Sequence, residues 1–218
     1  MNQLSAEYNK KKVGIMGGTF DPIHIGHLIL GERAYEQFNL EKVLFMPSGN
    51  PPHKRNRQGR ATDAQRIEMV KRAIQDNPHF ELSLAEMSEE GYTYTYQTLE
   101  RLRMEHPDTE YYFIIGEDSL LSFETWREPQ RICDACTLVT AIRDNRSVER
   151  MDTEMKRLSE RFQGRFFRLD TPYLDISSHA IRVQVFRGES IRYYVPDAVR
   201  QYVLEQNIYR IGADEETF

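Results

Sequence analysis

A chain of 218 residues, 39% hydrophobic and 29% charged, is long enough for one sizeable core and too short for two domains of ordinary size. No apolar run approaches the roughly 20 residues that a membrane span needs, and "MNQLSAEYNKKK" has no apolar segment after its charges, so the chain reads as cytoplasmic, without a secretory signal. A formal net charge of −5 excludes a protein built to coat nucleic acid, whose affinity comes largely from neutralising phosphates.

After an extension over 1–11, the pattern predicts one domain over 12–210 and a tail over 211–218. Strand-like "VGIMG" (13–17) leads to a helix over 25–38, "KVLFMP" (42–47) to a helix over 62–76, and "HFELSLAEM" (79–87) to a helix over 95–106. "EYYFIIG" (110–116), "CTLVTAIR" (136–143) and "GRFFRLD" (164–170) continue the strands. Two helices close the pattern, over 177–187 with Ser177 as cap and over 196–206 with Pro196 as first residue. Short, nearly continuous apolar strands separated by helices imply an α/β fold, a Rossmann-like doubly wound parallel sheet covered on both faces. In such a sheet ligands bind beyond the carboxyl ends of the strands, where the strand order reverses.

The two cysteines, Cys133 and Cys136 in "CDAC", lack the further ligands that a zinc site needs and the strand-to-helix context of a redox pair, so they read as buried packing residues on a short helix. "HKRNRQGR" (53–60) is a basic cluster following the strand "KVLFMP"; in a mildly acidic chain it suits a small phosphorylated ligand better than a polymer.

The first strand-to-helix turn, "GGTFDPIHIGH" (17–27), is neither a dinucleotide fingerprint nor a P-loop. Gly17 and Gly18 let the backbone pass close to a ligand, Pro22 stiffens the path into the helix, and Gly26 keeps space clear for a nucleotide. His24 and His27, three apart at a helix start whose free N–H groups favour an anion, can both donate to one phosphate as charge shifts during transfer. Thr95 reads as the cap of the helix in "TYQTLERL", leaving N–H groups aimed at a small anion. Trp126 reads either as a stacking surface for an aromatic ring or as plain core. Asp118 reads either as an acceptor for ribose hydroxyls or as an ordinary charge at a helix start.

The turn resembles the first motif of the H-x-G-H nucleotidyltransferase superfamily, which includes class I aminoacyl-tRNA synthetases; the K-M-S-K-S loop of the synthetases is missing. "ISSHAIR" (176–182) resembles the I-S-S-T-x-I-R motif of adenylyltransferases and departs from it at His179. "PPHK" (51–54), "YTYQTL" (94–99) and "FIIGEDSLLSFETW" (113–126) resemble segments of the bacterial nicotinate-nucleotide adenylyltransferases, and the similarity runs from Val13 to Tyr209. That resemblance implies transfer of the adenylyl group of ATP to nicotinate mononucleotide, with no nucleic acid or membrane partner; homo-oligomerisation stays open. It implies catalytic roles for His24, His27 and Arg182. It implies ATP or phosphate contacts from Gly17, Gly18, Thr19, Phe20, Lys54, Gly116, Asp118, Ser177 and Ser178, with Lys54 on the mononucleotide's own phosphate, and nicotinate contacts from Thr95 and Trp126. Mg²⁺ would be held mainly by the triphosphate and water, without a protein metal site. Two rivals remain: an adenylyltransferase for another phosphomonoester, and a nucleotide-sensing module without turnover.

Overall fold

The computed structural model describes residues 10–49, 59–87, 93–142 and 148–210. In chain order the elements are β1 Lys11–Gly18, α1 Ile25–Phe38, β2 Lys42–Pro47, α2 Asp63–Ile74, β3 Phe80–Leu82, α3 Thr95–Glu105, β4 Thr109–Gly116, α4 Glu117–Leu121, α5 Pro129–Ala135, β5 Thr137–Ala141, α6 Val148–Phe162, β6 Phe166–Leu169, α7 Ser178–Phe186 and α8 Asp197–Glu205. The strands form one sheet in the order β3-β2-β1-β4-β5-β6. β1 runs parallel to β4, from Lys11 opposite Thr109 to Met16 opposite Ile114, and β4–β5 and β5–β6 are parallel as well. The expected doubly wound sheet is the one observed. Val13–Met16, Tyr111–Ile115 and all of β5 are buried, as parallel strands covered on both faces require. The order reverses between β1 and β4, so the switch point lies at their carboxyl ends, where Gly17 and Gly116 stand.

The chain divides into two compact units. The first takes the chain up to Gly17, Leu30–Leu44 and Tyr94–Tyr173. Its core includes an aromatic cluster in which Phe123 meets Phe162 and Phe166 edge to face at 5.8 and 5.6 Å. The second takes Gly18–Ile29, Phe45–Thr93 and the chain from Leu174 on. There Phe45 packs on Phe80 at 4.7 Å, and the Arg72 guanidinium of α2 lies 4.7 Å over the Tyr202 ring of α8.

Several local expectations change. The strand expected over 79–87 shrinks to Phe80–Leu82, because the chain leaves the sheet in a turn closed by Met87 N–H donating to the Leu84 carbonyl. α6 forms between the last two strands, its buried Met151, Met155, Leu158 and Phe162 recurring at helical spacing within an otherwise charged segment. Pro196 caps α8 instead of opening it. Ser177 caps α7 as expected, its side chain accepting from Ala180 N–H at 3.2 Å.

Candidate active site

In the second unit the chain leaves β1 at Gly18 and reaches α1 through a short loop whose carbonyl oxygens are taken up one after another. Gly18 O accepts from Ser48 N–H at 2.8 Å, Thr19 O from Arg66 Nη1 at 2.6 Å, Asp21 O from Arg182 Nη1 at 2.7 Å, and Pro22 O from the Ser178 hydroxyl at 2.9 Å. An anion approaching the loop therefore meets no unpaired oxygen at these four positions, which would otherwise repel it. The loop is held from several directions: Arg66 from α2, and Arg182 and Ser178 from α7.

The Asp21 carboxylate is buried and compensated. Oδ1 accepts from Ala61 N–H at 3.1 Å and from the Tyr209 hydroxyl at 2.6 Å, and Oδ2 accepts from Arg60 Nη1 at 3.1 Å. A buried carboxylate without such donors would carry a large desolvation cost. The peptide bond between Asp21 and Pro22 is cis. Phe20, with φ of 50°, sits in the left-handed region and is buried, its ring meeting His27 edge to face at 5.0 Å and Phe45 at 6.0 Å.

His24 lies one residue before α1, and its carbonyl accepts from His27 N–H at 2.9 Å; His27 belongs to the first turn. The two rings stack with centroids 3.7 Å apart. His24 N–H donates to His27 Nδ1 at 3.2 Å, so a neutral His27 carries its proton on Nε2, available as a donor. Burial, then the neighbouring His24, holds the His27 pKa well below the ordinary histidine value. Charging His27 opposes folding: above about pH 6.5 both folded and unfolded chains are neutral there, whereas below it the unfolded chain takes up the proton first. Thermal stability of the ligand-free protein is therefore expected to fall on acidification below about pH 6.5 and to fall less steeply in His27→Gln, which melting curves at several pH values will check. Equal slopes would show that His27 does not carry this dependence.

The glycines serve the protein's own packing. A Cβ on Gly26 would stand 3.0 Å from His24 Nδ1, so a side chain there would press on the imidazole. A Cβ on Gly17 would meet the Phe113 ring at 3.1 Å and one on Gly18 the Phe20 ring at 3.0 Å. Gly116, the cap of α4, has open space at that position.

The structure thus brings Gly18, Thr19, Phe20, His24, His27, Ser177, Ser178 and Arg182 into one unit. Ser177 and Ser178 spend their hydroxyls on the α7 cap and on Pro22 O. Arg182, expected as a fork over phosphates, is only 3% exposed and directs one nitrogen to the Asp21 carbonyl. Lys54, with His53, lies outside the described residues.

Gly17, Thr95, Gly116, Asp118 and Trp126 belong to the other unit. The expected Thr95 cap is not formed. Tyr94 has the extended cap backbone (φ −105°, ψ 138°) and adds no side-chain cap bond, while Thr95 is the first helical residue. Trp126 is half-buried, 6.3 Å from Phe113 and 5.7 Å from Phe123, so it is partly core with a face left over. Asp118 sits in the first turn of α4.

Sequence reading gave no role to Asp21, Arg66 or Tyr209, and took Arg60 as part of the basic cluster for a phosphorylated ligand, whereas its Nη1 donates to Asp21 Oδ2. Arg66 left a signal: with Met69, Val70 and Ile74 it falls on the buried face of α2, where an arginine is out of place unless it has buried partners.

The cysteines are buried thiols. Burial, then Asp134, pushes the Cys133 pKa up to about 12, and burial raises Cys136 further. Cys136 Sγ donates to Ile132 O at 3.4 Å, a bond that a serine hydroxyl can replace. The Cys133→Ser, Cys136→Ser double variant is expected to keep kcat within about twofold of wild type, because neither thiol is a competent nucleophile or metal ligand. A large loss of turnover in a folded double variant would overturn that expectation.

Known proteins similar to this chain identify its family. Residues 15–184 match the cytidylyltransferase-like family model. A probable nicotinate-nucleotide adenylyltransferase of Lachnoclostridium phytofermentans is 43% identical over 199 residues, covering 91% of this chain and 99% of its own. One from Desulfitobacterium hafniense is 44% identical over 201 residues, covering 92% and 97%. Among solved structures, Plasmodium falciparum nicotinic acid mononucleotide adenylyltransferase complexed with NaAD superposes with a TM-score of 0.75 at 20% identity, over 93% of this chain and 98% of that one, and shares the fold. With relatives this similar along nearly their whole length and this loop at its first turn, the chain belongs to the nicotinate-nucleotide adenylyltransferase family.

Proposed function

We infer that this protein transfers the adenylyl group of ATP to nicotinate mononucleotide, giving nicotinate adenine dinucleotide and pyrophosphate in NAD biosynthesis. The observation that carries the reading is the stacked His24–His27 pair, held at the start of α1 by a loop whose carbonyls are paired to the protein.

In the mechanism we propose, an oxygen of the mononucleotide phosphate attacks the α-phosphorus of ATP in line. The new P–O bond forms as the bond to the β-phosphate bridge breaks, and pyrophosphate leaves with its electron pair. No covalent enzyme intermediate is involved, so the residues act by positioning and charge stabilisation. His27 donates from Nε2 and His24 from the ring stacked on it, to oxygens that gain negative charge. Gly17, Gly18, Thr19 and Phe20 bring the loop backbone to the triphosphate, Lys54 adds a positive charge, and Ser177, Ser178 and Arg182 hold the loop from α7. Gly116 and Asp118 serve the nucleotide. Thr95 and Trp126 serve the nicotinate ring, the first through the N–H groups at the start of α3 and the second by stacking.

Among the described residues no group of three or more His, Cys, Asp or Glu side chains is arranged to hold a metal ion. Asp21, the carboxylate of the loop, is occupied by Arg60, Ala61 and Tyr209. The residues present therefore suit Mg²⁺ that arrives on the triphosphate with its waters, where it supplies charge neutralisation of the leaving group. Among the described residues no helix is long and apolar enough to cross a membrane. We assign the activity to the cytoplasm, the source of its nucleotide substrates.

Incubation with ATP, Mg²⁺ and a panel of phosphomonoesters, with pyrophosphate assayed, tests the reading. Nicotinate mononucleotide is expected to be used and to be preferred over nicotinamide mononucleotide by at least about tenfold in kcat/KM, since a carboxamide facing N–H donors leaves a buried donor without an acceptor. Tyr94 brings no side-chain acceptor to those donors. Equal use of the two mononucleotides would overturn the nicotinate assignment, turnover with another phosphomonoester alone would point to a different acceptor, and no pyrophosphate from any would overturn the transferase reading.

A further inference from the structure

We infer that Tyr209 is a positioning residue of the adenylyl-transfer site, acting on the His24–His27 loop through Asp21; the inference rests on the transferase reading above. Tyr209 has a φ of 67°, in the left-handed region where glycine sits without penalty and a bulky residue is strained. A tyrosine at such a position is explained by what its side chain does. The ring is buried, and the hydroxyl donates to Asp21 Oδ1 at 2.6 Å across 188 positions of sequence.

Asp21 is the junction of the loop. Its carboxylate ties together Tyr209, Arg60 and the Ala61 amide, and its carbonyl takes Arg182. Its neighbour Phe20, also left-handed, presses its ring edge against His27. His24 follows three residues later. A carboxylate that loses the Tyr209 donor keeps Ala61 on Oδ1 and Arg60 on Oδ2, but it is no longer drawn toward the segment after α8, and the side chain and the loop from Phe20 to His24 shift toward the two remaining anchors. Burial, then the neighbouring Asp21, raises the Tyr209 phenol well above its ordinary pKa, so it remains a donor throughout the working range.

The alternative is that Tyr209 only anchors the segment after α8. The two roles separate in kinetics. Full-length wild type, Tyr209→Phe, Asp21→Ala and the double variant are to be compared in steady-state pyrophosphate release, with melting curves on each. Positioning predicts that Tyr209→Phe lowers kcat about tenfold while KM for nicotinate mononucleotide stays within about twofold, the scale expected when reacting groups shift slightly out of line. It also predicts that Tyr209→Phe has almost no further effect in the Asp21→Ala background, since alanine removes the acceptor that the Tyr209 hydroxyl reaches. A folded Tyr209→Phe with wild-type kcat, or two fully additive losses, would overturn the inference. Wild-type protein that releases no pyrophosphate would instead overturn the transferase reading on which it rests.

Discussion

Replacing His24 with alanine is expected to lower kcat by about 10²-fold or more while leaving the protein folded, the scale of losing one preorganised transition-state donor. The side chain stacks on His27 at 3.7 Å and fills the space above Gly26, whereas the backbone bonds that start α1 run through the His24 carbonyl, which alanine keeps. A second readout comes from the partner ring. His24 is one of the two causes that lower the His27 pKa, so its removal should let that pKa rise, observable in an NMR titration of the variant. Turnover near the wild-type level in folded His24→Ala would remove His24 from the mechanism, and an unmoved His27 would show that burial alone sets its protonation.

Arg66→Met is expected to destabilise the protein by about 3 kcal/mol, from two hydrogen bonds to a charged donor at roughly 1.5 kcal/mol or more each. The acceptors are Thr19 O at 2.6 Å and Ser48 O at 2.8 Å. The ion pair with Asp63 adds little, because the Arg66 side chain is 5% exposed but that of Asp63 is 54% exposed and stays hydrated. For a chain of this size the loss corresponds to a melting temperature lower by roughly 6–12 °C. Methionine keeps the apolar volume of the side chain, so the effect isolates the guanidinium. Activity at a temperature where the variant is still folded should fall as well, since Thr19 O is released from within the loop. Arg72→Met on the same helix is the comparison: Arg72 pairs with Glu68, each side chain 36% exposed, and lies over the Tyr202 ring, two contacts worth about 0.5–1 kcal/mol each, so its loss should cost under about 2 kcal/mol. Equal melting temperatures for the two variants would refute the account of Arg66.

At several positions where the sequence carried a local signal, its reading and the structure agree. β1 and α1 announce themselves by an apolar run and a helical period, the histidines by their spacing at a helix start, and Ser177 by its place before one. Thr95 shows how a local signal misleads. In "YTYQT" a threonine is the better cap by preference, yet the cap goes to whichever residue keeps extended backbone, and that is Tyr94. α6 hides in charge: four buried residues carry its core face among glutamates and arginines.

The support of the loop was hardest to read because it is not local. Asp21 finds Arg60, Arg182 and Tyr209 at separations of 39, 161 and 188 residues, and no periodicity connects such positions. Gly26 was read as leaving space for a nucleotide, and the neighbour that the structure shows there is the His24 ring. A glycine reports crowding without naming the neighbour.

The distance along the chain between Asp21 and Tyr209 also sets an order of events during synthesis. At translation rates of roughly 5–20 residues per second, the 188 residues separating them take on the order of 10–40 s to make. Through that interval the nascent chain carries its whole first motif, both histidines included, while the phenol of Tyr209 does not yet exist and the guanidinium of Arg182 is made only 161 residues after Asp21. A ribosome-bound intermediate thus displays the signature of the enzyme before it owns the scaffold that aligns it, and competence to bind nucleotide arrives late, with the C-terminal helices.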